Sequence, residues 1–335
     1  MSAQGRPQAR ISPAARCAEG SPLSGRGFGV HSRRAAYVAL ALLTLVWGLN
    51  WSAMKAALMH AHPLEFNVHR TWLATAVLFA VLLARGERVW PQSWRAVIVT
   101  GFFQTTINFG ATTLAVAGGG AGRTSVLVFT MPFWTLLLAW PILHERVRAL
   151  QGVAIAFAFA GLLLVVAPWS WEGDLAPKLW AVLSGFGWAA GTIAMKHYQR
   201  GRDFDMLSFM AWQMLIGVLP LTLLPWWYDV PATQWSVAQV VLLIVVGVVA
   251  TAGGFIAWME ILRWLPAGTA SLNMFAIPVI ALVSSMAIFG ERLAANEWMG
   301  IALIGVGLGL ISGEAWRRGR RPGALAVGSL PVDGG

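Results

Sequence analysis

The side chains here that could act on another molecule are arranged for recognition rather than for breaking bonds. The stretch VWGLNWSAMK, residues 46–55, sets Trp47, Asn50, Trp51, Met54 and Lys55 at i, i+3, i+4, i+7 and i+8, a single stripe along a helix. Trp188, Gly191, Thr192, Met195 and Lys196 repeat that spacing later in the chain. An amide among indole faces suits an uncharged or zwitterionic ligand with an apolar side chain. Asn50 also has a plainer reading as an interhelical hydrogen bond, worth about 0.6 to 2 kcal/mol in a membrane. The residue types leave both readings open. Lys55 and Lys196 lie near the ends of their apolar runs, where snorkelling to a headgroup layer is expected of them.

A second polar group sits in FFQTTINFG, where Gln104, Thr105, Thr106 and Asn108 are too dense for a lipid-facing surface and should point inward. The matching region of the second half is TAGGF, in which Gly253 and Gly254 offer no side chain. A cavity between them would be polar on one wall and open or apolar on the other. His69, Arg70 and Asn273 complete the inward candidates, and Trp134 lies near the centre of its run, where an indole N–H needs a partner or a cavity. His69 has a second reading as a structural histidine, the commoner role of a lone histidine. The candidate ligand-lining set is therefore Trp47, Asn50, Trp51, His69, Gln104, Asn108, Trp134, Trp188, Thr192 and Asn273. Pro132 and Pro278 fall mid-run, where a proline kinks a helix and frees a backbone carbonyl; they read either as hinges or as packing kinks.

Catalytic constellations are missing. The sequence holds no G-x-S-x-G, no H-E-x-x-H and no P-loop, and GVGLG at 305–309 lies inside an apolar run with no strand before it. No catalytic residues, metal site or cofactor are expected. Cys17 stands alone in a polar tail, so neither a disulfide framework nor a thiolate metal site is available. Among 14 acids only Glu260 lies clearly inside an apolar run, near one end and within helical reach of Arg263. Without a mid-run carboxylate, a proton- or sodium-driven cycle has no carrier group other than His69.

The elements that must position these residues follow from composition. Of 335 residues, 57% are hydrophobic and 11% charged, and mean hydropathy is +0.65. Runs of about 20 apolar residues follow one another with short polar breaks, which excludes a soluble domain. Windows long enough to cross the hydrocarbon fall at 37–58, 65–84, 94–116, 123–143, 149–168, 178–198, 206–225, 237–262, 267–289 and 293–313. The fold class is thus an all-α membrane protein of ten transmembrane helices. Net charge is +10, but the basic residues sit in tails and short loops and form no nucleic-acid face. With both termini in the cytoplasm, only Lys55, Arg123, Lys178 and Arg292 fall on the opposite side and Arg70 within a span, as the positive-inside rule requires. Residues 1–34 are Arg-rich, acid-poor and low in apolar content, and read as a disordered basic arm, with an organellar transit peptide as the alternative.

Self-comparison shows a repeat. WGLNWSAMK aligns with WAAGTIAMK at an offset of 141, and GRTSVLVFTMP aligns with GTASLNMFAIP at an offset of 146, which also carries Glu145-Arg146 onto Glu291-Arg292. Each unit holds five helices, an odd number, so the second must enter the membrane inverted. The expected organisation is the arm at 1–34, a first five-helix repeat at 35–170, an inverted second repeat at 171–314, and a basic flexible tail at 315–335.

These features together resemble the EamA type of the drug/metabolite transporter superfamily. The resemblance rests on the Trp-Gly start and Met-Lys end of the first span, Arg70 within FNVHRTWLATA, the prolines of the fourth and ninth spans, and HERV and GERL followed by a Gly-rich helix. It covers about 37–313. His144 in HERV stands where the family usually has glycine. The resemblance implies a secondary exporter of small metabolites in a bacterial inner membrane, working by alternating access through a central cavity. Its tryptophan content is most similar to that of exporters of aromatic and other neutral amino acids. The alternatives are a channel-like facilitator and an exporter of another small organic solute or drug. Expected partners are a small-molecule substrate and the lipid bilayer, with no nucleic acid and with a monomer as the working unit.

Overall fold

Helix boundaries are set by ordinary capping chemistry. The computed structural model describes residues 32–144, 148–166, 174–200, 205–226, 230–265, 274 and 276–319, without the side chains of 312 and 315–319. The segments expected as a disordered arm and a flexible tail lie almost wholly outside the described residues, as do Glu145, Arg146 and Asn273. Helix α1 (Arg33–Ala57) starts where Ser32 Oγ accepts the Ala35 N–H at 3.2 Å. α2 (Pro63–Arg85) opens on a proline, which has no N–H to satisfy, and ends at Gly86 with φ of 63°. α3 (94–119) is capped by Ser93, α6 (Leu175–Gln199) by Asp174, α7 (Met206–Leu223) by Asp205 and α8 (Val237–Trp264) by Ser236. The remaining helices are α4 (Ala121–Leu143), α5 (Ala149–Val166), α9 (Ala276–Phe289) and α10 (Ala295–Gly319). α10 runs four residues past the start expected for the C-terminal tail at 315.

No strand occurs among the described residues. Among the described residues, six helices are long and apolar enough to cross a membrane: α1, α2, α4, α5, α7 and α8. α9 and the 295–311 part of α10 are shorter apolar helices. All-helical architecture is what apolar sequence of this length demands, because a bilayer offers no water to an unpaired backbone group.

Three irregularities were not anticipated from the residues. α3 carries a π-helical turn at Gly101–Ile107, and α8 carries one at Val245–Gly253. Such insertions turn carbonyls away from the regular ladder and recur at functional positions. α4 is broken rather than kinked: it stops at Val128, turns through Phe129 and Thr130, and restarts at Met131. Pro132 thus lies in the first turn of a new helical piece, where its missing N–H costs nothing. Pro278 occupies the corresponding place near the start of α9, two residues after Ala276.

Packing pairs α5 with α10, α3 with α6 and α7, α4 with α6 and α9, α1 with α8 and α9, and α2 with α7 and α8. The α5–α10 contact is so close that a Cβ on Gly300 would lie 2.6 Å from the Gly161 carbonyl oxygen, so small residues are what let these backbones meet. Around the break in α4, a cluster of buried apolar side chains that includes Trp51, Met54, Phe66, Phe129, Phe133 and Ile277 fills the centre.

Candidate functional site

The aromatic stripe of α1 and the π-turn of α8 define one wall of a central cavity. Trp47 Nε1 donates to the Ala250 carbonyl at 2.8 Å, a carbonyl within the π-helical segment. The indole lies where Gly254 has no side chain; a Cβ there would overlap it. Thr251 Oγ1 donates to the Val246 carbonyl at 2.7 Å, five residues back. Trp188 on α6 stacks on Phe255 of α8, with centroids 6.2 Å apart and planes 6° from parallel.

The cavity encloses about 150 Å³ and is lined by Trp47, Asn50, Trp51, Met54, Arg70, Asn108, Phe109, Thr112, Val128, Phe129, Met131, Trp188, Ala250, Thr251, Phe255, Met274 and Ile277. Five of the residues expected to line a site meet here: Trp47, Asn50, Trp51, Asn108 and Trp188. Asn50 Oδ1 is buried with no hydrogen-bond partner among the described residues. Asn108 is tied down, since Nδ2 donates to the Ser184 carbonyl at 3.0 Å and to Ser184 Oγ at 2.8 Å.

Other expected residues hold helices together outside the cavity lining. Gln104 Nε2 donates to Thr192 Oγ1 at 3.1 Å, and Thr192 Oγ1 donates to the Trp188 carbonyl at 2.8 Å, so this pair joins α3 to α6. The Gln104 side chain occupies the space left by Gly191. Thr105 and Thr106 bond to Gln213 Oε1 at 3.0 Å and the Gly217 carbonyl at 2.7 Å, joining α3 to α7. Trp134 is packed edge-on by Phe159 and Phe186, and its Nε1 has no partner among the described residues. His69 faces the Trp235 ring at 5.4 Å rather than the cavity. Lys55 does not reach for a headgroup layer: its Nζ donates to the Val116 and Ala117 carbonyls at 3.2 and 3.1 Å, capping the end of α3. The expected Glu260–Arg263 pair is present at 3.5 Å, with Arg85 adding a second contact at 3.2 Å.

Arg70 is the residue whose importance the sequence understated. It is only 4% exposed, yet it lines the cavity. Its Nε donates to Asn67 Oδ1 at 3.0 Å, Nη1 lies 3.6 Å from Met54 Sδ, and Cζ sits 4.4 Å from the Phe109 ring centroid. All of these partners are neutral, and among the described residues no carboxylate comes within ion-pairing distance. Cation–π contact with Phe109 offsets part of the desolvation. A buried cation without a counter-charge still costs on the order of several kcal/mol, which makes Arg70 a candidate site residue. The signal in the sequence was a bare arginine one turn from the start of an apolar span.

Similarity to known proteins agrees with this geometry. The EamA-like transporter family matches the chain twice, over residues 34–167 and 176–313. A probable amino-acid metabolite efflux pump of Escherichia coli (strain K12) is 28% identical over 323 residues, spanning 89% of this chain and 100% of that one. Its counterpart in Salmonella typhimurium is 28% identical over 292 residues, 83% and 94% of the two chains. The transporter YvbV of Bacillus subtilis, named as uncharacterized, is 27% identical over 276 residues, 82% and 90% of the two chains. One crystal structure shares the fold with a TM-score of 0.60 at 18% identity, covering 86% of this chain and 99% of the other. With the family matched over both halves, the chain belongs to the EamA-like transporters: it is a membrane transport protein and not an enzyme.

Proposed function

We propose that this protein exports small metabolites, chiefly aromatic and other neutral amino acids, by alternating access between two inverted five-helix repeats. The observation that carries this reading is the central cavity, to which both halves contribute aromatic walls around a few polar groups. Trp47, Trp51, Phe109, Trp188 and Phe255 suit an apolar or aromatic side chain, and Asn50 and Asn108 suit the polar end of the same molecule. The relatives named as amino-acid metabolite efflux pumps support the substrate class.

Inversion is supported by the packing. Advancing each helix by five turns α1–α8 into α6–α3, α1–α9 into α6–α4 and α2–α8 into α7–α3, while α2–α7, α4–α9 and α5–α10 map onto themselves. The π-turns of α3 and α8 correspond under the same operation, as do the left-handed residues His144 (φ 55°) and Gly290 (φ 65°) that end α4 and α9. Two similar halves in opposite orientation can exchange conformations around a fixed site. Pro132, beside the break in α4, and Pro278, near the start of α9, are the proposed hinges. The distribution of the basic residues supports both termini lying in the cytoplasm of a bacterial cell; the proposed working unit is a monomer with ten spans through the inner membrane.

Among the described residues no acid lines the cavity, and His69 lies away from it, so the cycle runs as facilitated diffusion or exchange. The test is counterflow of a labelled neutral amino acid by purified protein in liposomes, with a panel of external competitors and with imposed pH gradients. Saturable counterflow that neutral amino acids inhibit supports the reading. Inhibition only by phosphorylated or polycationic compounds would overturn the substrate class. Collapse under a pH gradient that persists unchanged in His69→Ala would overturn the coupling.

A further inference from the structure

We propose that Arg70 and Asn50 form a polar pole in the cavity that holds the α-carboxylate and α-ammonium of a zwitterionic substrate, leaving the aromatic walls for its side chain. This rests on the cavity being the transport site. Both residues line the cavity from different helices, α2 and α1. Arg70 has two of its donor nitrogens engaged by neutral atoms, Nε on Asn67 Oδ1 and Nη1 beside Met54 Sδ. A guanidinium presents five N–H donors in a planar fork that fits a carboxylate with two parallel hydrogen bonds, so donors remain for an anion. Asn50 Oδ1 has the complementary need, being a buried acceptor with no donor among the described residues.

Spacing supports the pairing. Met54 touches Arg70 and stands one helical turn from Asn50, so the arginine and the amide reach the same section of the cavity. The nitrogen and the carboxyl carbon of an α-amino acid are about 2.5 Å apart, so with a hydrogen bond of about 2.9 Å at each end one zwitterion can engage side chains of two neighbouring helices at once. An isolated carboxylate would satisfy Arg70 alone and an amine Asn50 alone; only a zwitterion satisfies both. Phe109 lies under the guanidinium, with Cζ 4.4 Å from its ring centroid, and adds a cation–π contact on the face of the fork.

The experiment needs no variant to be decisive. Full-length protein in liposomes is assayed by counterflow of labelled L-phenylalanine against L-phenylalanine, L-phenylalaninamide, phenethylamine and 3-phenylpropionate, with ligand-induced thermal shifts in detergent as a second readout. The expected order is the amino acid first, 3-phenylpropionate at least tenfold weaker, and the two carboxylate-free compounds weaker still. Arg70→Lys should keep part of that discrimination, whereas in Arg70→Gln the amide and the amino acid should compete alike. Equal competition by the amide in the unaltered protein overturns the proposal while leaving amino-acid export intact. If 3-phenylpropionate binds in an Arg70-dependent way and amino acids do not, the carboxylate role of Arg70 stands, and both the Asn50 assignment and amino-acid export fall. Absence of any carboxylate-dependent binding overturns it as well.

Discussion

Replacing Asn50 with leucine should make the protein more stable and a worse transporter. Oδ1 of Asn50 is buried without a partner, and leaving a polar atom in that state costs about 1–3 kcal/mol. Leucine is close in size and removes the amide, so most of that cost is recovered in the empty carrier. Asn108, in the same cavity, supplies the internal control. Its Nδ2 makes two hydrogen bonds to Ser184, at 3.0 and 2.8 Å, and such bonds in membrane interiors average about 0.6 kcal/mol each. Asn108→Leu should therefore lose about 1 kcal/mol. The two asparagines should change stability in opposite directions. For transport, a hydrogen bond from a substrate ammonium to Asn50 is worth about 1.5–3 kcal/mol, and each 1.4 kcal/mol is tenfold, so KM should rise roughly 10- to 100-fold. Thermal unfolding in detergent and counterflow in liposomes measure the two effects on one preparation. The reasoning fails if Asn50→Leu destabilises as much as Asn108→Leu, or if it leaves KM where it was.

Three further outcomes come from the scaffold. His144 holds φ at 55°, the left-handed region that costs a residue with a Cβ about 1 kcal/mol or more, so His144→Gly should gain about 0.5 to 1 kcal/mol in unfolding experiments with counterflow rates unchanged. Gly254→Ala puts a methyl where Trp47 Nε1 lies and drives the indole off the Ala250 carbonyl; a loss of about 1–3 kcal/mol, with impaired counterflow, is the expected result. Gly161→Val sets a branched side chain against the Gly300 backbone and should destabilise by about 3 kcal/mol or more, read as a lowered unfolding temperature with KM unchanged in whatever protein remains folded.

Apolar runs of about 20 residues and the caps between them made the helices legible, because in a bilayer the backbone has no competing way to bond. The stripe Trp47, Asn50, Trp51 was legible for the same reason: 3.6-residue periodicity fixes which side chains share a face. Gln104 and Thr192 were harder, since a polar residue buried against another helix and one facing a cavity look alike in sequence. Which of the two applies depends on the partner across the interface, here the space above Gly191. The break in α4 was hidden too, as Pro132 fits a kink in a continuous helix and the first turn of a new one equally well. Arg70 was visible but undervalued, because a linear sequence does not show that no acid among the described residues lies beside it.

The cavity is asymmetric in a way the repeats are not. Among the described residues, its arginine and both asparagines, Asn50, Arg70 and Asn108, come from the first half of the chain, whereas the second half supplies Trp188, Ala250, Phe255, Met274 and Ile277 with Thr251 as its polar member. Gly191 stands where the second copy of the α1 stripe could have carried another amide. A site with its polar groups on one repeat and its apolar wall on the other binds an amphipathic ligand in one orientation. If one repeat rocks against the other, the charged end of the ligand stays with the first half throughout, and only the apolar contacts with the second half are remade. Those contacts are non-directional and so tolerate sliding, while the hydrogen bonds that fix identity need not break. A symmetric site would have to surrender directional bonds on both sides in every cycle. Arg70, without a carboxylate partner among the described residues, adds a condition: an occluded empty cavity would enclose it dry and unpaired, so closure is favoured when a carboxylate is present. Exchange, in which the site is loaded on both strokes, should therefore outpace net efflux, and counterflow measured beside zero-trans efflux in the same liposomes tests that ranking directly.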